Sequence, residues 1–260
     1  LRMIKVAILG YGTVGSGVVE VLTTNAAIIA KRAGQEVGVK YVLDLRDFPG
    51  DPIQSKVVHD FQIILDDPEV DIVVETMGGT KPAYEFVKKA LLAGKSVCTS
   101  NKELVAAYGA ELVHLAKSKS VNFLFEASVG GGIPVLKPLT ESLEGNDIES
   151  MYAILNGTTN FILSKMYDEG LPYEKVLKEA QELGFAEANP EADVEGYDAA
   201  RKLSILSTLA YHRRVYWKDF YLEGISNLDM KDMDYAKKLG CKIKLVGQSK
   251  KNKENVTGFV

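Results

Sequence analysis

Short runs of apolar and β-branched residues alternate with helical patterns through the first 135 residues of the sequence. Parallel strands need a crossover of a dozen or more residues between them, and helices supply it. Such strands are buried on both faces, so each run is almost continuously apolar. The alternation predicts an α/β domain with a doubly wound parallel sheet over residues 1–135. Its predicted strands are 5–10, 40–44, 71–76, 96–100 and 121–127, with helices at 82–93 and 103–118.

A second pattern begins after residue 135, where longer helices follow one another. We expect residues 136–260 to form a separate α+β domain that binds substrate or takes part in assembly. Its predicted elements are strands at 149–155 and 220–225, helices at 158–168, 173–183, 195–211 and 230–239, and a hairpin with arms at 241–248 and 255–260 around a charged turn. The chain stops at Val260 inside an apolar run, so we expect a truncated protein.

The composition favours a small-molecule partner. A formal net charge of -4 over 260 residues provides no strongly basic surface for nucleic acid or anionic lipid. The apolar run IKVAILG near the N-terminus is far too short to span a membrane and lacks a signal-peptide cleavage site. Cys98 and Cys241 are too few for a disulfide framework, which fits a reducing compartment. We therefore expect a cytoplasmic protein without nucleic-acid or membrane partners.

The segment GYGTVG places Gly10, Gly12 and Gly15 directly after the first predicted strand. In this spacing the first glycine permits a tight turn, the second lets the backbone approach a pyrophosphate, and the third allows close packing of helix on strand. The phosphates would lie over the positive N-terminus of the following helix. A glycine turn used only for packing is the alternative, but the strand before it and the helix after it favour a dinucleotide cofactor.

Asp44 and Arg46 follow the second predicted strand, where a dinucleotide site reads the adenosine ribose. An acid at this point accepts hydrogen bonds from the free 2′-hydroxyl of NAD, whereas an arginine suits the 2′-phosphate of NADP. Because both residues are present, the sequence leaves NAD and NADP open. Asp44 is equally compatible with a solvated loop acid.

Asp198 and Lys202 stand four residues apart within the predicted helix 195–211. With residues spaced about 100° around the helix axis, both fall inside its apolar arc. The polar side of the same helix is predicted to hold Arg201, Ser204, Ser207 and Thr208. Desolvating two ions costs several kcal/mol each unless their geometry is excellent. A pair that was merely solvated would therefore lie on the polar side of the helix. We expect the pair to line a reactive cavity, where Lys202 gives a proton to an alkoxide and Asp198 orients the lysine.

Lys102 and two loops complete the candidates. Lys102 follows the strand at 96–100 and begins a helix, where a cation opposes the helix dipole, so we favour a ligand contact over a solvated lysine. The segment EASVGGGIPVLKPL at 126–139 offers carbonyl oxygens for a cation, although its composition alone favours a flexible crossover between domains. The segment GFAEANPEADVEG at 184–196 carries four acids and no base, which suits a cationic substrate group, although Glu191 and Glu195 also fit a solvated loop.

The sequence resembles homoserine dehydrogenase in several segments, taken in order. These are GYGTVG, TSNKELVA, FEASVGGGIPVLKPL, LNGTTNFIL, GFAEANPEADVEGYDAARKLSIL and, less closely, AKKLGCKIKLVG. The resemblance covers nearly the whole chain and implies a Rossmann-like nucleotide-binding domain with a second domain for substrate binding and dimerisation. It also implies reversible, NAD(P)H-dependent reduction of L-aspartate 4-semialdehyde to L-homoserine on the route to threonine, isoleucine and methionine, with a site for sodium or potassium. The sheet and helices predicted for the second domain favour a homodimer.

The same resemblance implies roles for individual residues. Lys202 is the implied proton donor, and Lys102 is a second lysine near nicotinamide and substrate. The implied substrate-binding residues are Glu187, Asp193, Asp198, Gly157 and Thr158. The cofactor set is Gly10, Gly12, Thr13, Val14, Gly15, Asp44, Arg46, Ser100, Lys102 and Gly184. The carbonyls of Glu126, Val129, Gly131 and Ile133 are the implied site for a monovalent cation.

Members of this family continue past the point where this chain stops, which reinforces the expectation of truncation. They return to the first domain with a strand, a helix and a glycine-rich segment beside the nicotinamide, and many add a regulatory ACT module. Two alternatives stay open. A reductase for another amino acid aldehyde would lack the acidic loop joined to DAARK, and a non-catalytic nucleotide-binding fragment would not need two lysines at electrostatically costly positions.

Overall fold

A computed structural model describes residues 2–253 and 255–260. The chain divides into two compact units, Leu1–Pro134 and Val135–Val260. Among the described residues no single helix is long and apolar enough to cross a membrane, and one helix pair, bent by 77°, passes that test only by length and composition.

The first unit is built on a six-stranded parallel sheet. Its strands are β1 (Ile4–Leu9), β2 (Val37–Leu43), β3 (Val57–Val58), β4 (Val70–Glu75), β5 (Ser96–Thr99) and β6 (Phe123–Leu124). Their order is β3-β2-β1-β4-β5-β6, so the direction of winding reverses between β1 and β4. The prediction of a doubly wound parallel sheet is confirmed. In such sheets ligands bind outside the carboxyl ends of the strands, beside this reversal.

Helices connect these strands. They are α1 (Thr13–Thr24), α2 (Ala26–Ala33), α3 (Phe61–Asp66), α4 (Ala83–Leu92) and α5 (Lys102–Ser118). The predicted helices at 82–93 and 103–118 correspond to α4 and α5 within one residue at each end. Val6, Ile8 and Val42 are buried between the sheet and the helices that cover it, and each such side chain contributes about 1.5–3 kcal/mol of hydrophobic free energy.

The predicted strand at 121–127 is largely wrong. Only Phe123 and Leu124 pair with β5, and a short 3₁₀ turn at Glu126–Ser128 follows. β6 is the outermost strand of the sheet, so few backbone bonds hold it extended. An apolar run at the edge of a sheet can stop pairing before the run itself ends, and its composition does not show where the pairing stops.

The second unit combines five helices with a small antiparallel sheet among its described residues. Its elements are β7 (Ser150–Ala153), α6 (Gly157–Glu169), α7 (Tyr173–Glu182), α8 (Glu191–Val194), α9 (Tyr197–Ala210), α10 (Met230–Lys238), β8 (Gly247–Lys251) and β9 (Val256–Phe259). The strand order is β7-β8-β9, and both pairings are antiparallel. Ile162, Leu163, Met166, Leu203 and Met233 are fully buried in the core between the helices.

Two strand predictions in this unit are wrong. The segment at 220–225 lies beside β9, where the N–H groups of Tyr221 and Glu223 donate to the carbonyls of Gly258 and Val260, but it forms an isolated bridge rather than a strand. It then turns towards α8, where Ile225 donates its N–H to the carbonyl of Val194 at 2.8 Å. The hairpin exists, but its first arm is Gly247–Lys251 rather than 241–248. Ile243 and Leu245 pack against the helical core instead, so the charged lysines at 250 and 251 become part of the strand.

Candidate functional site

The glycine turn lies between β1 and α1, at the carboxyl end of the sheet. Gly10 has a φ of +96°, which favours glycine, and its N–H donates to the carbonyl of Leu43 at 2.8 Å. A Cβ on Gly15 would lie 1.9 Å from the carbonyl oxygen of Gly10, so α1 packs directly on the turn. Gly12, the N-cap of α1, is exposed and has open space beside it. The turn therefore leaves room for an anionic group at the helix N-terminus.

Asp44, which follows β2, is hydrogen-bonded to the glycine turn. Its Oδ2 accepts the N–H of Tyr11 at 2.8 Å, and its two oxygens accept from the Arg46 guanidinium at 3.0 and 3.1 Å. Hydrogen bonding from Arg46 holds the pKa of the Asp44 carboxyl well below its usual range, despite the opposing effect of burial. The Arg46 side chain is 63% exposed. An ionised acceptor and an accessible cation thus lie side by side.

A cleft of about 570 Å³ opens beside these residues, large enough for part of a dinucleotide. Four predicted cofactor residues line it: Gly10, Gly12, Asp44 and Arg46. Its remaining lining residues are Tyr11, Leu43, Leu45, His59, Phe61, Thr76, Met77, Gly78, Lys81, Pro82 and Phe86. The other predicted cofactor residues of this unit, Thr13, Val14, Gly15, Ser100 and Lys102, lie outside that lining.

Lys102 lies where the sequence predicted, as the first residue of α5 after the carboxyl end of β5. Asn101 caps this helix, since its side-chain oxygen accepts the N–H of Leu104 at 3.0 Å. Lys102 is half-buried. Its location is confirmed, and its role stays a prediction.

In the second unit, the buried Asp198 and the half-buried Lys202 form an ion pair on α9. The Lys202 Nζ lies 2.7 Å from the Asp198 Oδ2, and the side chains are 17% and 4% exposed respectively. Lys202 also donates to the carbonyl of Leu155 at 2.9 Å. The ammonium is therefore held by a carboxylate and a carbonyl, on a side chain that is only partly buried. A positioned lysine of this kind suits a proton donor.

The predicted polar side of α9 is wrong at two positions. Ser204 and Ser207 are buried, and their hydroxyls bond to the carbonyl of Val215 at 2.7 Å and to the Ser249 hydroxyl at 2.9 Å. β8 and the segment after the helix cover this side, so α9 is buried around most of its circumference. Serine satisfies its one hydroxyl locally and tolerates burial, whereas the Asp198–Lys202 pair still bears the desolvation cost of two charges.

Asn156 is a site residue that the sequence reasoning missed. Its Nδ2 donates to Asp193 at 2.6 Å and to Asp198 at 3.0 Å, and its Oδ1 accepts the N–H of Thr159 at 2.8 Å. One amide thus caps α6 and joins two acids from different helices. The signal available in the sequence was an asparagine directly before a helical pattern, a strong N-cap position.

The acidic loop separates into two parts. Asp193, on α8, reaches the Asp198 cluster through Asn156. Glu187 is exposed and is not part of that set of contacts. Gly157 begins α6 and is exposed, and the Thr158 hydroxyl donates to the carbonyl of Phe185 at 2.6 Å. Gly184 is exposed in the turn after α7, with a φ of +77°.

The glycine loop at 126–133 forms two successive turns. The N–H of Val129 donates to the carbonyl of Glu126 at 3.4 Å, and the N–H of Ile133 donates to that of Gly130 at 3.0 Å. Among residues 2–253 and 255–260, no group of three or more His, Cys, Asp or Glu could hold a metal ion. Any cation here would therefore depend on backbone carbonyls such as those of Gly131 and Ile133.

The strand order, the glycine turn and its adjoining cleft define a dinucleotide-binding α/β protein. The family model for the homoserine dehydrogenase NAD binding domain matches residues 10–126, and the model for homoserine dehydrogenase matches residues 134–258. The chain belongs to the homoserine dehydrogenase family.

Individual relatives support this assignment. The homoserine dehydrogenase of Bacillus subtilis is 44% identical over 254 residues, which are 95% of this chain and 58% of that protein. A homoserine dehydrogenase structure from Thiobacillus denitrificans is 45% identical with a TM-score of 0.94, covering 100% of this chain and 61% of that one. A hyperthermophilic archaeal homoserine dehydrogenase in complex with NADPH is 28% identical with a TM-score of 0.81, and the match covers 99% of this chain and 81% of that one. The chain thus spans somewhat more than half the length of the curated relative.

Proposed function

We propose that this protein catalyses the reversible reduction of L-aspartate 4-semialdehyde to L-homoserine. The aldehyde takes up a hydride from NAD(P)H and a proton, giving the alcohol and NAD(P)⁺. The observation that carries the proposal is the buried Asp198–Lys202 pair, with a Nζ to Oδ2 distance of 2.7 Å, in a chain whose first unit has a dinucleotide turn. The pathway to threonine, isoleucine and methionine is the corresponding setting.

The residues of the first unit fit a dinucleotide. Gly12 leaves open space at the start of α1, and the first turn of that helix contains no acidic residue to repel a pyrophosphate. Gly10 and Gly15 bring the turn and the helix together. When bound, NAD(P)H supplies the hydride that reduces the carbonyl carbon.

Lys202 delivers the proton to the carbonyl oxygen as negative charge develops there. Asp198 and the Leu155 carbonyl hold the ammonium in one orientation, so little reorganisation is needed during the reaction. Lys102 helps to stabilise the developing oxyanion. Glu187 and Asp193 hold the substrate ammonium, and Gly157 and Thr158 form part of the substrate wall.

NADPH is the preferred cofactor in this proposal. Both oxygens of Asp44 already accept from Arg46, so a ribose 2′-hydroxyl would have to compete with a guanidinium for them. The exposed side of Arg46 is available to a 2′-phosphate. Oxidation rates with NADPH and NADH test this preference directly.

A sodium or potassium ion held by the carbonyls of Glu126, Val129, Gly131 and Ile133 belongs to the same proposal, because carbonyl oxygens suit hard cations. Replacing Na⁺ and K⁺ by tetramethylammonium in the assay should lower the rate if this site is real. An unchanged rate would exclude it.

The active form in this proposal is a homodimer. Tyr152 and Phe259 flank Gln248 in one row across the second sheet, and they are 66% and 48% exposed. Exposed aromatic rows of this kind favour protein contacts. Light scattering of the purified protein would contradict the dimer if it gave a monomer mass.

The free cysteines Cys98 and Cys241 are consistent with a reducing cytoplasm.

The function is tested by cofactor oxidation with L-aspartate 4-semialdehyde. The wild type should oxidise NADPH, and Lys202→Ala should lower kcat by about a hundredfold or more, because a positioned proton donor is lost. The affinity of the Lys202→Ala variant for NADPH should equal that of the wild type. Lys178→Ala is the matched control, since Lys178 on α7 is 78% exposed. If Lys202→Ala turns over at the wild-type rate, the assignment of the proton donor is wrong.

A further inference from the structure

Glu75, the last residue of β4, has a fully buried carboxylate that the proposed mechanism does not use. Three donors converge on it. Its Oε1 accepts the N–H of Met77 at 2.8 Å and, at 3.5 Å, an amide hydrogen of Asn101, and its Oε2 accepts the Thr99 hydroxyl at 2.6 Å. Burying a carboxylate is costly, so an arrangement of this kind requires its donors to be held in place.

The donors come from three different segments of the first unit. Met77 belongs to the turn after β4, Thr99 ends β5, and Asn101 caps α5. Asn101 also links the other two segments directly. Its side-chain amide donates to the carbonyl of Gly79 at 2.6 Å, and its backbone N–H donates to the Thr99 hydroxyl at 2.9 Å. Glu75 therefore ties the turn at 76–79 to the end of the neighbouring strand and to the helix that follows it.

The same turn is one wall of the cofactor cleft. Thr76, Met77 and Gly78 line that cleft together with Gly10 and Gly12, and the Thr76 hydroxyl donates to the carbonyl of Gly10 at 3.0 Å. Gly78 and Gly79 both have positive φ values, +77° and +67°, and glycine loses the most conformational freedom on ordering. A turn with two such glycines depends on outside contacts to keep its shape.

An amide cannot replace this carboxylate. If the nitrogen of a glutamine lay at the position of Oε2, the Thr99 hydroxyl hydrogen would face a donor instead of an acceptor, although the hydroxyl oxygen could still receive the N–H of Asn101. If the amide were flipped, its nitrogen would meet the N–H of Met77. Either orientation leaves a buried donor unpaired, so only a group that accepts at both oxygens fits.

We propose that Glu75 is a positioning residue for the cofactor: its carboxylate holds the turn at 76–79 in the shape that forms the cleft wall. This inference rests on the proposed function, because it assumes that the cleft binds NAD(P)H. Glu75 acts through the turn and does not itself touch the reacting atoms.

The test measures NADPH binding by fluorescence titration of the purified protein, at a temperature where circular dichroism shows every variant to be folded. Glu75→Gln should raise the dissociation constant of NADPH about tenfold, because one buried donor is always unpaired. Thr99→Val keeps the carboxylate but removes the hydroxyl that donates to it and accepts the N–H of Asn101, so it should raise the constant about threefold or more. It also keeps the inference testable if Glu75→Gln does not fold.

Val70→Ala is the matched control, because Val70 is buried at the opposite end of the same strand. It should lower the melting temperature without changing NADPH affinity. If all three variants weaken binding equally, or if neither Glu75→Gln nor Thr99→Val weakens it, Glu75 is only structural and the inference is overturned. A wild type that binds neither NADPH nor NADH would instead overturn the proposed function, and this inference with it.

Discussion

Asn156 shows how much a single side chain can organise in the second unit. Its amide offers two hydrogens, and each goes to a different acid, Asp193 or Asp198. Asp198 in turn holds Lys202. Without the amide, Asp193 and Asp198 would lose their common donor, and the orientation of Asp198 and of the Lys202 that it holds would be less fixed.

We therefore expect Asn156→Ala to lower kcat by about tenfold through loss of two charge-assisted hydrogen bonds, with NADPH affinity unchanged. Steady-state kinetics in both directions measure this effect. Asn160→Ala is the control, because Asn160 lies on the same helix and its side-chain oxygen accepts from Lys244, outside the Asp198 cluster. Equal losses of kcat in the two variants would show that the effect is general destabilisation of α6.

Arg46 allows a second test at the residue scale. Arg46→Ala should raise the KM for NADPH by about tenfold, since one charge-assisted contact with a 2′-phosphate is lost. The KM for NADH should stay the same or fall, because Asp44 becomes available to a 2′-hydroxyl. Arg32→Ala, at an exposed arginine near the end of α2, serves as the control. A parallel rise in both KM values would contradict a role in recognising the 2′-phosphate.

At the scale of elements, α1 packs so closely on the glycine turn that neither can move without the other. A Cβ on Gly15 would lie 1.9 Å from the Gly10 carbonyl oxygen, so α1 must move away from β1 to accommodate it. Gly15→Ala should therefore weaken NADPH binding by about tenfold or more and lower the melting temperature, because both phosphate contacts and packing depend on this approach.

Gly17→Ala is the matched control on the same helix. A Cβ there meets nothing within 4 Å, and alanine is the better helix former by roughly 1 kcal/mol. This variant should be as stable as the wild type or more so and should bind NADPH normally. If Gly15→Ala also bound NADPH normally, the turn would not be a phosphate site.

Elements of the second unit were harder to predict than those of the first. The segment expected to be a strand at 220–225 bonds to the end of β9 through Tyr221 and Glu223 and then turns to α8, where the N–H of Ile225 donates to the carbonyl of Val194. The serines of α9 look like a solvent-facing side on a helical wheel, yet Ser207 bonds to Ser249 on β8. In both cases the decisive partner comes from elsewhere in the chain, and local periodicity does not encode it.

At the scale of the whole molecule, charge pairs at the amino end of the first sheet make stability depend on pH. A hydrogen bond from Lys40 lowers the pKa of Asp67 to about 2, from an ordinary value of 3.8. The two side chains lie 2.5 Å apart and are 24% and 13% exposed. Because the folded pKa is depressed, the stabilisation is complete above about pH 4 and is lost as the pH falls towards 2.

Asp67→Asn should consequently lower the melting temperature at neutral pH, and the difference from the wild type should shrink between pH 4 and pH 2. Calorimetry across this range measures it. Asp234→Asn, at an exposed acid of α10, should show no such dependence. A difference for Asp67→Asn that stays constant down to the acid limit would mean that the amide disturbs packing instead.

Local residue patterns were enough to predict the doubly wound sheet, the glycine turn and the paired charges on α9. Continuously apolar runs, closely spaced glycines and charges at i, i+4 are each visible within a few neighbouring residues, so their signals are local. Only the tertiary structure decided which donors meet which acceptors. Asn156 meets Asp198 across 42 residues, and Thr99 meets Glu75 across 24. Such pairs form because burial forces polar groups to find partners wherever the chain returns, and no short stretch of sequence specifies that return.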